Sequence, residues 1–295
     1  MNWMNILKSK AKLIRKRFYH RKKIFLKYYF KRSKKSPVFI ICSRRTGSNL
    51  LLSYLNSSPL VSFAGEILNW DMYYGLRRKF ISKRAVLRHI RHSINDCQKT
   101  ICGAKLLKLR LEVHHLTIAD LQTIFPEAKF IILYRKSLFD QYISLQIAET
   151  TKQWTWNSGF KLPKEIVIDP PIMQKFSQGT KNFYNNILNS PGIRERSAII
   201  SYEELTADPQ RIFDQKIFPF LGIPSFGIST QMKKQNTKNP WEIIKNYKDI
   251  QWAVNDTAFK QDYLVLTDKT VFSEDSCLNI RGESPSHPIL HGELH

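Results

Sequence analysis

Four short apolar runs without regular polar alternation stand out along the chain. Each is rich in Ile, Val, Leu or Phe, and they are Val38 to Cys42, Thr100 to Leu107, Phe130 to Tyr134 and Ala198 to Ser201. Strands that are covered on both faces of a parallel sheet show this pattern, because neither face meets water. The sequence therefore predicts four interior strands.

Segments with the apolar spacing of helices lie between and after these runs. They cover residues 49–56, 84–94, 115–124, 138–151, 174–189 and 209–220. Alternating strand and helix signals are typical of an α/β fold with right-handed crossovers. The pattern predicts a central parallel sheet flanked by helices, with a long loop over residues 154–171, which are rich in Trp, Gly and Pro.

Charge sets the N-terminal segment apart from the rest of the chain. The formal charge of the 295 residues is +23, and residues 1–36 contain 14 Lys and Arg and no acid; subtracting these 14 charges from +23 leaves +9 for the rest. Apolar residues recur through this arm, so it could form a basic amphipathic helix on an anionic membrane or a nucleic acid. A solvated extension without a ligand is the simpler alternative. We expect an arm at 1–36, a main domain at 37–254 and a partly irregular extension at 255–295.

Neither a membrane span nor a metal site is indicated by the sequence. No run approaches the roughly 20 apolar residues that a transmembrane helix needs, and the start is too charged for a signal peptide. The four cysteines, Cys42, Cys97, Cys102 and Cys277, lack metal-ligand spacing and suit a reducing compartment. We therefore expect a cytoplasmic protein without a metal, which the basic arm could hold at the inner face of the membrane.

The first predicted strand leads into a helix through the turn SRRTGSN, Ser43 to Asn49. A helix N-terminus presents unpaired N–H groups and the positive end of the helix dipole, which together attract an anion. The turn adds a glycine for tight bending, two cations and two hydroxyl groups: Gly47, Arg44, Arg45, Thr46 and Ser48. This composition favours a phosphate-binding loop, although the Walker A pattern GxxxxGK[ST] is absent.

Two later strand-to-helix junctions carry related signals. Arg135 ends the third predicted strand, and Ser144 lies about two turns into the following helix, ~10 Å along its axis. An anion over the start of that helix would be within reach of Arg135. The other junction, SYEELTADPQ from Ser201, predicts a strand, a polar turn and a helix capped by Thr206 or Asp208.

Four motifs in this order resemble the sulfotransferase family that uses 3′-phosphoadenosine 5′-phosphosulfate (PAPS), nearest the bacterial carbohydrate branch with Nod-factor and trehalose sulfotransferases. They are RTGSN, the Arg135 and Ser144 pair, SYEEL with FLGIP, and KKQNTKNPWEIIKNY, within residues 38–250. The resemblance implies a P-loop-like three-layer fold in which the loop from Arg45 to Asn49 binds the 5′-phosphosulfate and Arg135 and Ser144 bind the 3′-phosphate. It also implies a basic loop, containing Lys234, that closes on the nucleotide. The chain departs from some branches in having Ser43 and Arg44 where they have Pro-Lys or Pro-Arg.

The same resemblance suggests catalytic roles. Arg45 would stabilise charge on the bridging and sulfuryl oxygens. Glu66, in SFAGEILNW, stands where the carbohydrate branch has its proposed base. Lys105 and the neighbouring His114 and His115 are alternatives, since other branches use a His after a central strand.

Aromatic side chains offer further contacts. Tyr202 could pack near the adenine, and Trp154 or Trp156 could stack on the base or on the sugar acceptor. Core positions are the alternative for all three.

The function expected from these residues is sulfuryl transfer from PAPS to a hydroxyl of a carbohydrate or glycolipid. A nucleic-acid or membrane-surface binding protein acting through the arm, with a degenerate nucleotide domain, is the alternative from another class. Binding to nucleic acid is less expected, because such a protein has no need for the Arg45, Arg135 and Ser144 constellation. An ATP-dependent kinase is disfavoured by the missing Walker lysine.

Overall fold

Five parallel strands form the centre of the protein in a computed structural model that describes residues 36–69, 82–154, 162–232, 240–248 and 250. The strands are β1 (Val38–Cys42), β2 (Val61–Glu66), β3 (Ile101–Leu107), β4 (Lys129–Tyr134) and β5 (Ser197–Ser201). Their order in the sheet is β2-β3-β1-β4-β5. The four predicted strands are confirmed, each within a residue or so of its expected bounds.

The edge strand β2 is the one that the sequence analysis did not predict. Its burial alternates at first and ends in partly exposed residues, including Gly65 and Glu66. An edge strand with a glycine, an acid and one solvent-facing side lacks the continuous apolar run on which the prediction depended.

Helices follow the strands and cover the sheet. Their bounds are α1 (Ser48–Leu55), α2 (Lys83–Asn95), α3 (Lys108–Val113), α4 (Ile118–Ile124), α5 (Leu138–Thr151), α6 (Pro170–Leu188), α7 (Tyr202–Ala207), α8 (Pro209–Ile212) and α9 (Phe218–Leu221). A π-helical segment, Phe213–Ile217, joins α8 to α9, and short 3₁₀ turns cover Arg194–Arg196 and Pro240–Ile243.

Local capping explains where the helix predictions were wrong. The predicted start at residue 115 moves to α4, because Thr117 caps that helix and forms a capping box with Asp120. The predicted polar turn after β5 is the helix α7, which begins with a second capping box made by Ser201 and Glu204. Asp208, one of the two predicted caps of the next helix, accepts a hydrogen bond from the Arg211 backbone N–H. The short helix α3 was not predicted.

Two apolar clusters lie on opposite faces of the sheet and make three layers. On one face, α2, α4 and α6 pack on side chains such as Phe39, Ala104 and Phe130. On the other face, α1 and the segment from α7 to α9 pack on Ile40 and Ile131. This arrangement confirms the expected α/β fold with a central parallel sheet between helices.

The strand order places the carboxyl end of β1 at the point where the chain reverses direction across the sheet. β1 pairs with β3 on one side and with β4 on the other. Ligands of open α/β sheets bind at this point, outside the carboxyl ends of the strands. The SRRTGSN loop follows β1 and therefore lies in that position.

A register shift occurs where β2 pairs with β3. Ala64 pairs with Ala104 and Glu66 pairs with Lys105, so Gly65 is the extra residue of a β-bulge. Because side chains alternate along a strand, an unbroken register would place Glu66 on the same face as Ala64. The bulge instead brings Glu66 to the face of Lys105.

Cys97 and Cys102 form a disulfide with an S–S distance of 2.00 Å between the end of α2 and the start of β3. The sequence analysis did not predict this pair. Disulfides are typical of oxidising compartments, so the pair does not fit the reducing compartment expected from the cysteine spacing. Cys42 is a buried free thiol.

Some predictions fall on residues outside the described ranges. These include residues 1–35 of the arm, Trp156, Lys234 and the whole extension 255–295. Among the helices of the described residues, none is long and apolar enough to cross a membrane.

Candidate active site

The loop after β1 bends through two left-handed residues, Arg45 with φ 65° and Gly47 with φ 78°. Gly47 precedes α1, and its carbonyl accepts the hydrogen bond from Leu51 that opens the helix. A Cβ at Gly47 would lie 2.5 Å from the ring of Tyr202. The loop and the start of α7 are therefore in direct contact, which places Tyr202 at the site.

The two hydroxyl side chains of the loop face inward. Thr46 is fully buried, and its hydroxyl donates to the carbonyl of Ser43 at 3.0 Å. Burial raises the pKa of the nearby Cys42 thiol to about 11, and the charge of Lys105 and the hydroxyl groups of Ser48 and Thr46 offset this rise only in part. The Thr46 hydroxyl thus supports the shape of the loop, and its role in binding an anion stays a prediction.

Arg45 joins the loop to α5. Its Nε donates to Ser144 Oγ at 2.9 Å, and its Nη1 donates to the carbonyl of Trp154 at 2.7 Å. Burial and the nearby charge of Arg135 lower the pKa of Arg45 to about 10. The structure therefore brings Arg45, Ser144 and Arg135 together, with the hydrogen bond of Ser144 going to Arg45 rather than to Arg135, beside which the sequence analysis expected it.

Arg135 follows β4 and is largely buried, with 14% of its side chain exposed. Its guanidinium lies 4.7 Å above the ring of Tyr202. The carboxylates of Asp140 and Glu203 lie 3.8 and 3.9 Å away, too far for good hydrogen bonds. Within the described residues, buried Arg135 Nε has no hydrogen-bond partner. Arg135 thus has two ion-pair partners but keeps a buried N–H that could still donate to an acceptor oxygen, such as one of a phosphate.

Arg44 has different side-chain partners from Arg45, although both arginines contact Trp154. Its Nη1 lies 3.3 Å from Glu149 Oε1, and its guanidinium carbon lies 5.6 Å from the ring centroid of Trp154. Trp154 is 43% exposed. Arg44 and Trp154 thus form an edge of the site at the end of α5, and the hydrogen bond from Arg45 to the Trp154 carbonyl joins this edge to the loop.

Glu66, Lys105 and Asn49 form a second polar group at the same edge of the sheet. Lys105 is 3% exposed, and its Nζ lies 3.1 Å from Glu66 Oε1 and 2.5 Å from Asn49 Oδ1. Asn49 lies in the first turn of α1. The bulge in β2 and the loop after β1 therefore meet through one buried lysine.

The other candidate base, His114, lies at the C-terminal end of α3. It is buried, and its backbone N–H bonds to the carbonyl of Arg110. Six residues separate His114 from the end of β3 at Leu107, whereas Lys105 lies within β3 itself. Its neighbour His115 has a left-handed backbone, with φ 51°.

Among the described residues, no group of three or more His, Cys, Asp or Glu side chains could hold a metal ion. Positive charge at the site comes from Arg45, Arg135 and Lys105 together with the N-terminus of α1.

A three-layer α/β domain with an arginine-bearing loop between its first strand and first helix belongs to the class of α/β proteins with an anion site at the carboxyl edge of the sheet. Residues 37–227 match the model of the sulfotransferase family. The chain belongs to this family of enzymes, as its motifs indicated. It is 25% identical over 231 residues to Nodulation protein H of Rhizobium meliloti, covering 73% of this chain and 90% of that protein.

Solved structures with a similar arrangement include two sulfotransferases. One is the sulfotransferase from Alicyclobacillus acidocaldarius, with a TM-score of 0.47, 16% identity and coverage of 77% of this chain and 92% of that one. The other is the sulfotransferase domain of the curacin biosynthetic pathway, with a TM-score of 0.43, 16% identity and coverage of 70% and 81%.

Proposed function

We propose that the protein transfers a sulfuryl group from PAPS to a hydroxyl of a carbohydrate or glycolipid. The observation that carries the proposal is the pair of cationic positions at the carboxyl edge of the sheet. Arg45 lies in the loop after β1, and Arg135 follows β4. Two phosphate-type groups on one nucleotide require two such positions.

The residues present fit this co-substrate. Arg135 Nε is a buried donor without a hydrogen-bond partner in the described residues, and Ser144 lies beside Arg45. The loop from Arg45 to Asn49 and the N-terminus of α1 would hold the 5′ end, and Arg135 with Ser144 the 3′-phosphate. Tyr202, stacked beneath Arg135, would lie beside the nucleoside.

Lys234 is proposed for the same site because its segment resembles the family's basic loop that closes on the nucleotide. The Ser229 backbone N–H bonds to Ser57 Oγ, and Thr230 Oγ1 bonds to Ser53 Oγ. The chain therefore runs along α1 toward its N-terminus and the anion loop. This direction supports our proposal that the basic segment containing Lys234 closes on the nucleotide.

When bound, PAPS would supply an activated sulfuryl group. Arg45 would stabilise the negative charge that develops on the oxygens around it, since sulfuryl transfer is analogous to phosphoryl transfer and depends on positioning and charge stabilisation. Burial strengthens this interaction, because it excludes water from the guanidinium.

Glu66 is the proposed general base for the acceptor hydroxyl. It is partly exposed, with 31% of its side chain accessible, so an acceptor can reach it. The ion pair with Lys105 holds the Glu66 carboxylate in place, and Lys105 would also add positive charge near the reacting group. We assign Lys105 this positioning and electrostatic role, and we keep His114 as the alternative base.

A saccharide hydroxyl is the proposed acceptor because the motifs resemble the carbohydrate branch and the chain is related to Nodulation protein H. Trp154 is exposed beside Arg44 and offers an aromatic surface for a sugar ring. A cytoplasmic location, with the arm on the inner membrane face, remains our prediction. Its check is alkylation of Cys97 and Cys102 in intact cells before any reduction: alkylated thiols are expected in the cytoplasm, and an unmodified disulfide would contradict this location.

The proposal is tested by calorimetric titration with 3′-phosphoadenosine 5′-phosphate (PAP), using ATP and AMP as controls. We expect selective binding of PAP by the unaltered protein and loss of that binding in Arg45→Ala and Arg135→Ala. Arg211→Ala is the matched control, since Arg211 lies in α8, is exposed and pairs with Asp208, the residue that caps this helix.

Two results would contradict the proposal. Equal affinity for PAP and ATP would contradict the proposal that PAPS is the co-substrate. It would favour the alternative in which the basic arm is the functional element. Full PAP affinity in either site variant, with a folded protein by circular dichroism, would show that the two cationic positions are wrongly assigned.

A further inference from the structure

Gln141 links α5 to the anion loop and was not identified by the sequence analysis. It is fully buried. Its Nε2 donates to the carbonyl of Arg44 at 2.6 Å and also to Ser43 Oγ. One side chain therefore uses both of its N–H hydrogens to hold the two residues that precede Arg45.

The orientation of this amide is fixed by its partners. The carbonyl oxygen of Arg44 only accepts hydrogen bonds, so the NH₂ group of Gln141, and not its oxygen, must face the loop. A carboxylate at this position would place oxygen against oxygen. The contact is thus specific for a side chain with two donors and the length of glutamine.

The same helix face carries the contact to Arg45. Ser144 lies three residues after Gln141, nearly one helical turn, and accepts the hydrogen bond from Arg45 Nε. Helix α5 also begins just after Arg135. Helix α5 therefore contacts the loop backbone through Gln141 and the Arg45 side chain through Ser144, and it starts close to Arg135. One rigid element thus fixes the relative positions of all three.

A second helix holds the start of the loop by a separate route. Tyr184 of α6 is fully buried; its hydroxyl donates to the carbonyl of Leu133 and accepts from the backbone N–H of Ser43. This contact ties the loop to β4 through Ser43, whereas Gln141 ties both Ser43 and Arg44 to α5.

We infer that Gln141 is a positioning residue that sets the spacing between the two anion positions, and hence the preference for a bisphosphate over a monophosphate. The inference rests on the proposed nucleotide site. A ligand with two linked phosphates gains affinity only if both groups can bind at once, because the second contact is then intramolecular. Gln141 holds the loop at the separation that this requires.

The test compares Gln141→Met with Gln146→Met, a glutamine on the same helix that is only partly buried. Binding of PAP, 5′-AMP and 3′-AMP is measured by calorimetry for the unaltered protein and both variants, with unfolding temperatures recorded in parallel. Gln141→Met keeps the length of the side chain and removes both donors. Gln141→Asn, which keeps the amide but is one methylene shorter, serves if the first variant does not fold.

We expect Gln141→Met to lower the ratio Kd(5′-AMP)/Kd(PAP) about tenfold, the effect of roughly one hydrogen bond. Binding of 3′-AMP should change little, and Gln146→Met should keep the ratio. A purely structural role would lower the unfolding temperature and leave the ratio unchanged, which would overturn the inference. Unaltered protein without any preference for PAP would instead overturn the proposed function, and the positioning role with it.

Discussion

At the scale of single residues, Gly47 is required for two separate reasons. Its backbone is left-handed, and a Cβ there would lie 2.5 Å from the Tyr202 ring. Gly222, at the end of α9, has a similar φ of 70°, but a Cβ there would meet nothing within 4 Å. Comparing substitutions at the two glycines therefore separates the free-energy cost of a left-handed backbone from the cost of the contact with Tyr202.

Gly47→Ala is expected to be the more damaging of the two substitutions. Gly222→Ala should cost about 1–2 kcal/mol for the left-handed backbone, and Gly47→Ala about 1–3 kcal/mol more for overpacking against Tyr202. Urea unfolding of both variants measures the difference. Equal destabilisation of the two variants would show that Tyr202 moves aside at no cost. As a further check, adding Tyr202→Ala should recover part of the lost stability in Gly47→Ala but not in Gly222→Ala.

Glu66→Gln tests the proposed base. The amide keeps the size of the side chain and a hydrogen-bonding oxygen for Lys105, so PAP affinity should stay within about threefold, while turnover with a saccharide acceptor falls by about 10²-fold or more. His114→Gln is the matched comparison and should retain most activity. The reverse pattern would transfer the role of base to His114.

Sequence reasoning identified the residues that carry recognisable motifs and missed those that support them. Arg45 and Arg135 stand at strand-to-helix junctions and Ser144 lies two turns into the helix after Arg135, so that their chemistry and position are visible in the chain. Gln141 and Tyr184 reach partners 97 and 51 residues away. A buried polar side chain whose partner is a distant backbone group has no local pattern that distinguishes it from any other helical position.

At the scale of elements, capping decides several boundaries, and α7 gives a measurable example. Burial alone would raise the pKa of Glu204, but hydrogen bonds from the Ser201 backbone and hydroxyl and from Lys216 outweigh it and lower the pKa. A carboxyl whose folded pKa is lowered stabilises the protein above its unfolded pKa. That contribution is lost as the pH falls through the folded value.

Glu204→Gln should therefore be less stable than the unaltered protein at pH 7. The difference should shrink as the pH falls below the ordinary value of 4.5 for this carboxyl. Thermal unfolding between about pH 7 and pH 3 follows this change. Glu165→Gln is the control, because Glu165 is exposed and pairs only loosely with Lys245 at 3.4 Å; a pH-independent loss in Glu204→Gln would contradict the argument.

The elements predicted best are those whose apolar pattern is long or continuous. The bounds of α5 were predicted at 138–151 and are observed there, and β1 agrees equally well. The errors fall on short elements: β2 has one exposed side, and α3 and α7 have six residues each. Elements of this length are determined by contacts and caps rather than by periodicity.

At the scale of the whole molecule, positive charge is concentrated in the arm, with 14 Lys and Arg in residues 1–36. We expect the full chain to sediment with anionic liposomes at low salt, and a chain lacking residues 1–36 to lose this binding while keeping its PAP affinity. Neutral liposomes provide the control. Equal binding of the two chains to anionic liposomes would show that the arm is not responsible for membrane binding.

The bulge at Gly65 has a consequence for comparing this chain with its relatives. A single extra residue determines which side chain of β2 faces Lys105. Whether an acid lies beside Lys105 therefore depends on the strand register as well as on the sequence. In a homologue with an unbroken β2, the residue one place earlier in the chain would occupy this position. An alignment without a gap between Ala64 and Glu66 would then align Glu66 with a residue that does not face the lysine. The acid would be read as missing from the homologue, although it had only moved by one position in the register.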